Sequence, residues 1–385
     1  MPARRSRASR VLGLARGARS GVRIVGRREE PAGQGVVRWW TGVLRFAAVE
    51  TAQLEVTARD NVRDILTFAM DHHAGKDAVI VYDRRTPLAC LIADAYRACL
   101  PSAIHLDFDT VAPQVILDLF AALAPGGLVV LVQSTSFRLE AFRIRIELFK
   151  YGLKVIEHPH LFRMQPAEFA TYVDALAYDP AYYRVLGPAL KARIDSAPGA
   201  VVDSGGETLV YDSPLEPAKL NIGDYTGLAN VGGQFPIGEV FTEAQDLTRV
   251  NGRVRIFVFG DTEFRVNVPE RPITLVIESG KVVEAIDSTP AFDRVMGQIR
   301  ADEELWIREL GFGMNRAFTR DRRVSDVGTY ERMCGVHLSL GSKHGVYNKP
   351  MLKRKETKYH VDVFAVTESV VLGDEQVFRD GHWRV

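Results

Sequence analysis

The chain is 385 residues long, 46% hydrophobic and 25% charged, with a formal net charge of +1. That length exceeds one ordinary core and implies two domains, and the balance is that of a globular protein, not a fibrous or disordered one. Near-zero net charge supplies no global pull toward nucleic acid or membrane surfaces, and three scattered cysteines, Cys90, Cys99 and Cys334, argue against a disulfide framework or a structural zinc knot.

The first 36 residues hold nine arginines, no lysine and no acid before Glu29. They lack the apolar core of a secretory signal and read as a basic, disordered leader; an organellar transit peptide, an upstream start codon and a phosphate-binding arm are the other readings. Residues 37–225 read as an N-terminal domain. NVRDILTFAMDHHA carries apolar residues at helical spacing, and DAVIVYD is a buried strand. PLACLIADAYRACL (helix), SAIHLDFD (strand), PQVILDLFAALA (helix), GGLVVLVQS (strand), FRIRIELFKYG (helix) and LKVIEHP (strand) continue the alternation. That pattern predicts a mainly parallel α/β layer. Helices follow from EFATYVDALAYD to ALKARIDSAP, then a strand and turn in AVVDSGGETLVYD, where SGGET is a hairpin turn. The longest apolar run, LFAALAPGGLVVLV, is broken by Pro125 and two glycines and falls short of the roughly 20 residues of a membrane span. No membrane partner is expected, and the sparse cysteines suit a reducing, cytoplasmic setting.

Residues 226–385 change texture. RVRIFVFGD, FRVNVP, ITLVIESGKVVEAI, GVHLSLG and YHVDVFAV alternate as strands, with SGKV and NGRV as turns. One helix is predicted over PAFDRVMGQIRADEELWIREL. The fold class is therefore two-domain: a parallel α/β domain followed by a mixed, β-rich α+β domain. Every candidate ligand lies in that second part. Glu239 opens a strand after Pro236 and Gly238, Glu309 sits where the helix runs into GFG, His337 lies mid-strand, and His344 follows the turn LGSK. His360 and Asp362 form an H-x-D step whose side chains share one face of a strand. Carboxylates and imidazoles without sulfur are the donors that one or two divalent cations take, and four segments converging would form a hydrolytic metal site. Read singly, each is equally an ordinary strand carboxylate or a hydrogen-bonded core histidine. The loop with Lys349, Lys353, Arg354, Lys355 and Lys358 is either a solvated basic loop or one that draws an anionic substrate toward the metals. His72, His73, His158 and His160 lack partners at ligand spacing and read as surface or boundary residues. DAVIVYDRRTP has no glycine-rich loop for a nucleotide, and the tryptophans form no stacking platform for nucleic acid.

The C-terminal half resembles the M29 family of metallo-aminopeptidases, of the aminopeptidase T and aminopeptidase S type. PIGEVFT, with Glu239, corresponds to the family's P-x-G-E-V-F-T. ELGFGMN, with Glu309, corresponds to E-x-G-x-G-x-N, HLSLG, with His337, to H-x-A-L-G, and His360 and Asp362 to H-x-D, all in the family's order. The resemblance implies a two-domain, homodimeric hydrolase with a peptide or small-amide substrate. Two divalent cations, zinc, cobalt or manganese, would be held by Glu239, Glu309, His337, His360 and Asp362, with Glu309 also relaying a proton. Where the family carries a tyrosine close to the metals this chain has His344, an imidazole able to ligate metal or to stabilise an oxyanion; Tyr347 lies three residues further on. A related branch, the 2,5-dihydroxypyridine dioxygenases, holds one Fe(II) with two histidines and a carboxylate. That branch has histidine at the Glu309 position and an apolar residue at the Glu239 position, so the two glutamates here favour the hydrolase. A non-catalytic binding protein on the same fold is the third expectation.

Overall fold

A computed structural model describes residues 51–385 except 74, 138, 140–143 and 353–356. The leader and the middle of the basic loop lie outside the described residues. Residues 51–64 form helix α1, which runs into a π-turn at Ile65–Ala69. Then β1 (Ala78–Tyr82), α2 (Pro87–Cys99), β2 (Ile104–Asp107), α3 (Pro113–Ala122), β3 (Leu128–Val132), α4 (Ile144–Lys150) and β4 (Lys154–His158) alternate. Helix α2 begins where its sequence signals it: Thr86 accepts from the Ala89 N–H, and Pro87 follows at the first helical position. Strands β1 and β3 are buried at every residue, as parallel strands covered on both faces must be. Val79, Val81, Val129 and Leu131 pack against Ile116 and Phe120 of α3 and Leu148 of α4. Ile80, Val130 and Ile156 point the other way, into a cluster with Leu88, Ile92 and Tyr96 of α2.

Helices α5 (Phe169–Ala175) and α6 (Pro180–Ser196) lead into the hairpin β5 (Ala200–Ser204) and β6 (Glu207–Tyr211), turned by Gly205 and Gly206 with φ of 67° and 86°. Next come β7 (Lys219–Asn221), β8 (Gly232–Gln234), β9 (Glu239–Glu243), β10 (Val250–Gly260), β11 (Val266–Asn267), β12 (Ile273–Glu278), β13 (Lys281–Ile286) and α7 (Pro290–Asp302). The chain ends with β14 (Ile307–Gly313), the short α8 (Val327–Tyr330), β15 (Gly335–Leu340), β16 (Val361–Ala365), β17 (Ser369–Leu372), β18 (Glu375–Arg379) and β19 (His382–Trp383). Strand β8 pairs in parallel with β4, completing a sheet of order β2-β1-β3-β4-β8. The other strands make an antiparallel sheet of order β19-β18-β17-β5-β6-β10-β16-β15-β14-β9-β7, with β11 and β12 also on β10. The protein thus joins a parallel α/β layer to a large β-rich one. Strands β5–β7 precede residue 225 yet belong to the β-rich sheet, and β8 follows it yet belongs to the parallel sheet. No helix among the described residues is long and apolar enough to cross a membrane, and the three cysteines are free thiols.

Two local expectations are corrected. The helix predicted through residue 310 ends at Asp302; Glu303 is extended, and residues 307–313 form a strand buried at every position. Pairing with β9 and β15 outweighs the helix-favouring run EELWIREL. His158 is not a boundary residue. It is fully buried, with Nε2 2.8 Å from the Tyr96 hydroxyl and Nδ1 2.9 Å from the Tyr172 hydroxyl. His72 is buried as well.

Burial pulls the His158 pKa from an ordinary 6.5 down to about 3. The unfolded chain takes up this proton below pH 6.5 while the folded one resists it, so the neutral ring contributes stability above 6.5 that is lost as pH falls toward 3. Urea midpoints of the wild type should drop steeply between pH 6.5 and 4. A His158→Phe variant should show a shallower slope, with His72, held down at about 4, supplying the remainder. Parallel slopes for the two proteins would refute this assignment.

Candidate metal centre

Strands β9, β14, β15 and β16 are consecutive neighbours in the β-rich sheet. Their registers place Glu239 opposite Gly313, His337 opposite Gly311, and Ser339 opposite Asp362. Because side chains alternate with a period of two, Glu239, Glu243, Glu309, Gly311, His337, Ser339 and Asp362 share one face. Between Ile307, paired with Leu340, and Leu310, paired with Leu338, the register slips. Arg308 and Glu309 therefore both stand against Ser339, a bulge that re-aims two side chains at once. The Glu309 N–H donates to Ser339 Oγ at 2.9 Å, which fixes the bulge. Gly311 leaves room for the imidazole across from it: a Cβ there would lie 2.0 Å from the His337 ring.

Donor atoms converge above this face. His337 Nε2 is 3.2 Å from Glu239 Oε1 and 3.3 Å from Glu309 Oε1. These three residues offer ligand atoms within 4.8 Å of one another. The other oxygen of Glu309, Oε2, faces a second group: it lies 3.3 Å from His344 Nε2 and 3.9 Å from His360 Nε2. His360 Nε2 is in turn 3.0 Å from Asp362 Oδ1. All six residues expected from the sequence are thus brought together.

The loop after β15 sets the two late imidazoles. The His360 Nδ1–H donates to the Lys343 carbonyl at 3.0 Å, which turns Nε2 toward Asp362. The Glu303 carboxylate accepts from the backbone N–H groups of Ser342, Lys358 and Tyr359, clamping both ends of that loop. The Tyr347 hydroxyl is engaged away from the six donors. It donates to the Pro217 carbonyl at 2.8 Å, and the Tyr347 ring stands edge-on to His344 at 5.2 Å. In the basic loop, Lys349 is buried against Glu216 at 2.6 Å and Lys358 pairs with Asp302 at 2.6 Å, so both charges are already matched.

Negative charge dominates the centre. Burial opposes an imidazolium at His337, but Glu239 and Glu309 push its pKa well above the ordinary range. At His360 burial is likewise outweighed, by Asp362 and Glu309, and the pKa rises to about 10. Asp362 falls to about 2 despite burial, held down by His360. Glu239 is lowered, Arg332 and His337 overcoming its burial, while Glu331 is pushed far up by burial and by Asp362 and Glu239, against the pull of Arg332. Such a site takes up cations, and protons and metal ions compete for the same nitrogens.

The donor set fits a divalent metal. It offers three carboxylates and three imidazoles with no thiolate. Glu239 Oε1, His337 Nδ1, His344 Nδ1 and Asp362 Oδ1 are buried without a well-formed hydrogen bond, a costly state that ligation or a neighbouring polar group relieves. Four supporting residues escaped the sequence reading. Arg332 lies 3.9 Å from Glu239 and against Glu331, and Glu243 and Arg308 form a buried ion pair. A charged residue inside an otherwise apolar strand must find a partner, and that signal was present in EVFTE and WIREL.

No family model matches the chain, and neither does any curated protein. Solved structures similar to it include the following two. Both share its fold. The 2,5-dihydroxypyridine dioxygenase from Pseudomonas putida KT2440 is 15% identical with a TM-score of 0.56, covering 86% of this chain and 97% of that one. Wild-type AmpT from Thermus thermophilus is 15% identical with a TM-score of 0.52, covering 86% of this chain and 99% of that one. The chain therefore has the M29-type fold.

Proposed function

We propose that the chain is a metal-dependent hydrolase of the aminopeptidase type, acting on a peptide or a small peptide-like amide. The observation that carries this reading is the Glu309 carboxylate. Its two oxygens face two separate donor groups, Glu239 with His337 on one side and His344, His360 and Asp362 on the other. A carboxylate so placed suits two adjacent ions. When bound, a pair of divalent cations (zinc, cobalt or manganese) supplies Lewis-acid polarisation of a carbonyl and lowers the pKa of a water. Glu309 lies between the two groups, and an oxygen that the ions leave free could hold the proton taken from that water for delivery to the departing amine. The His344 imidazole stands where it can ligate or steady developing negative charge. A homodimer belongs to the same reading.

A second reading is favoured by one feature. His344, His360 and Asp362 form a two-histidine, one-carboxylate group, the donor set of single-iron oxygenases. A ring-cleaving Fe(II) dioxygenase is thus the alternative on this fold.

Elemental analysis of the purified full chain separates them. Close to two non-iron ions per chain, with release of arylamine from aminoacyl-arylamides, supports the hydrolase. One iron per chain, with oxygen uptake on hydroxylated aromatic acids, supports the alternative. A protein that neither retains nor takes up zinc, cobalt, manganese or ferrous ion would refute both and leave a binding protein on an enzyme fold.

A further inference from the structure

The second donor group is backed by a charge pair that touches none of its donor atoms except through His344. Glu243 is fully buried, and its carboxylate is gripped on both oxygens by Arg308, at 2.7 Å from Nε and 3.1 Å from Nη2. Two more donors of the same guanidinium reach backbone carbonyls on either side of His344: Nη1 bonds the Ser342 carbonyl, and Nη2 lies 3.3 Å from the Tyr347 carbonyl. Lys343, between them, presents the carbonyl that orients His360. Glu243 Oε2 sits 3.0 Å from His344 Nδ1. The alignment falls short of a good hydrogen bond, and Nδ1 has no other; a carboxylate in this place is the usual partner behind a metal-bound imidazole.

We propose that the buried Glu243–Arg308 pair is the positioning element of the second metal subsite, committing His344 to that subsite through Nε2 and fixing the loop carbonyl that orients His360. This rests on the two-ion reading above. Glu243 is not itself a ligand, since both its oxygens are engaged by Arg308. With a proton held on Nδ1 facing Glu243, His344 keeps its Nε2 lone pair toward Glu309 Oε2. Glu239 of the first subsite shares strand β9 with Glu243, but its partners are Arg332 and His337 and not the pair. The pair therefore acts on one ion and not on the other.

The test is a Co(II) titration of the full chain, followed by visible absorbance and by cobalt retained after desalting. Glu243→Gln alone leaves the Arg308 charge unmatched and risks misfolding, so the charge-neutral double variant Glu243→Gln/Arg308→Met accompanies it. The wild type should take two ions. Either folded variant should keep the first at unchanged affinity and bind the second roughly 10- to 100-fold more weakly, the range for loss of a residue behind a ligand. On a His344→Gln background, adding Glu243→Gln should change the second affinity far less, because the direct path runs through His344. Unchanged binding of both ions by the variants, or equal weakening of the two, overturns the proposal and leaves the hydrolase reading in place. A wild type that binds no cobalt removes both.

Discussion

Replacing Glu309 with alanine is expected to collapse both halves of the centre together. Its carboxylate approaches donors on each side, at 3.3 Å from His337 and 3.3 Å from His344. Loss of a residue behind a ligand costs about 10- to 100-fold in metal affinity or activity, so removal of a shared ligand should cost more, at least about 100-fold. The variant should retain well under one ion per chain and show no measurable arylamide hydrolysis, while its thermal unfolding stays close to that of the metal-free wild type. Glu239→Ala should differ, losing the first ion and sparing the second. If Glu309→Ala still holds one ion as tightly as the wild type does, the carboxylate is not shared and the two-ion geometry is wrong.

The second large effect falls on a residue with no side chain. Gly311→Ala would place a methyl group 2.0 Å from His337 Cε1 and 2.1 Å from its Nε2. Neither strand can retreat, because β14 is hydrogen-bonded to β9 and β15 on its two sides. The imidazole must swing away, and overpacking of this kind costs about 1–3 kcal/mol. The expected result is a lower melting temperature together with loss of the first ion. Gly297→Ala is the matched control. Gly297 is an exposed residue of α7 where a Cβ meets nothing within 4 Å, and there alanine should stabilise by about 0.5–1 kcal/mol. Wild-type metal content in Gly311→Ala would show that the His337 ring does not need the space this glycine leaves.

These two residues also illustrate what a single chain of letters conveys. The parallel α/β layer was legible because β1 and β3 are short, β-branched and evenly spaced between amphipathic helices. The ligand residues were legible as chemistry: H-x-D puts two donors on one face of a strand, and His360 and Asp362 do meet. The strand position of Glu309 was not legible, since EELWIREL favours a helix and only pairing with β9 and β15 overrides it. Nor was His158, whose two hydroxyl partners, Tyr96 and Tyr172, lie 62 and 14 residues away. The Glu243–Arg308 pair spans 65 residues and leaves only an indirect trace, two opposite charges inside apolar strands beside the motifs. Contacts of that range are set by sheet order, which local periodicity does not encode.

The order of the β-rich sheet also governs when the protein becomes complete. Strand β10 has β12 and β11 along one edge; along the other β6 covers only its start, and the rest must wait for β16, made about a hundred residues later. Strand β5 waits longer still, Val202 meeting Val370 of β17. During synthesis these edges stand open, and long-range pairings of this kind close slowly. Strand β16, which carries Asp362 directly after His360, is inserted between β10 and β15. Until it enters, the nascent chain has Glu239, Glu309 and His337 on strands with a gap beside them. The step that joins β10 to β15 is therefore also the step that delivers the last two donors, so the centre matures only when that late strand is in place.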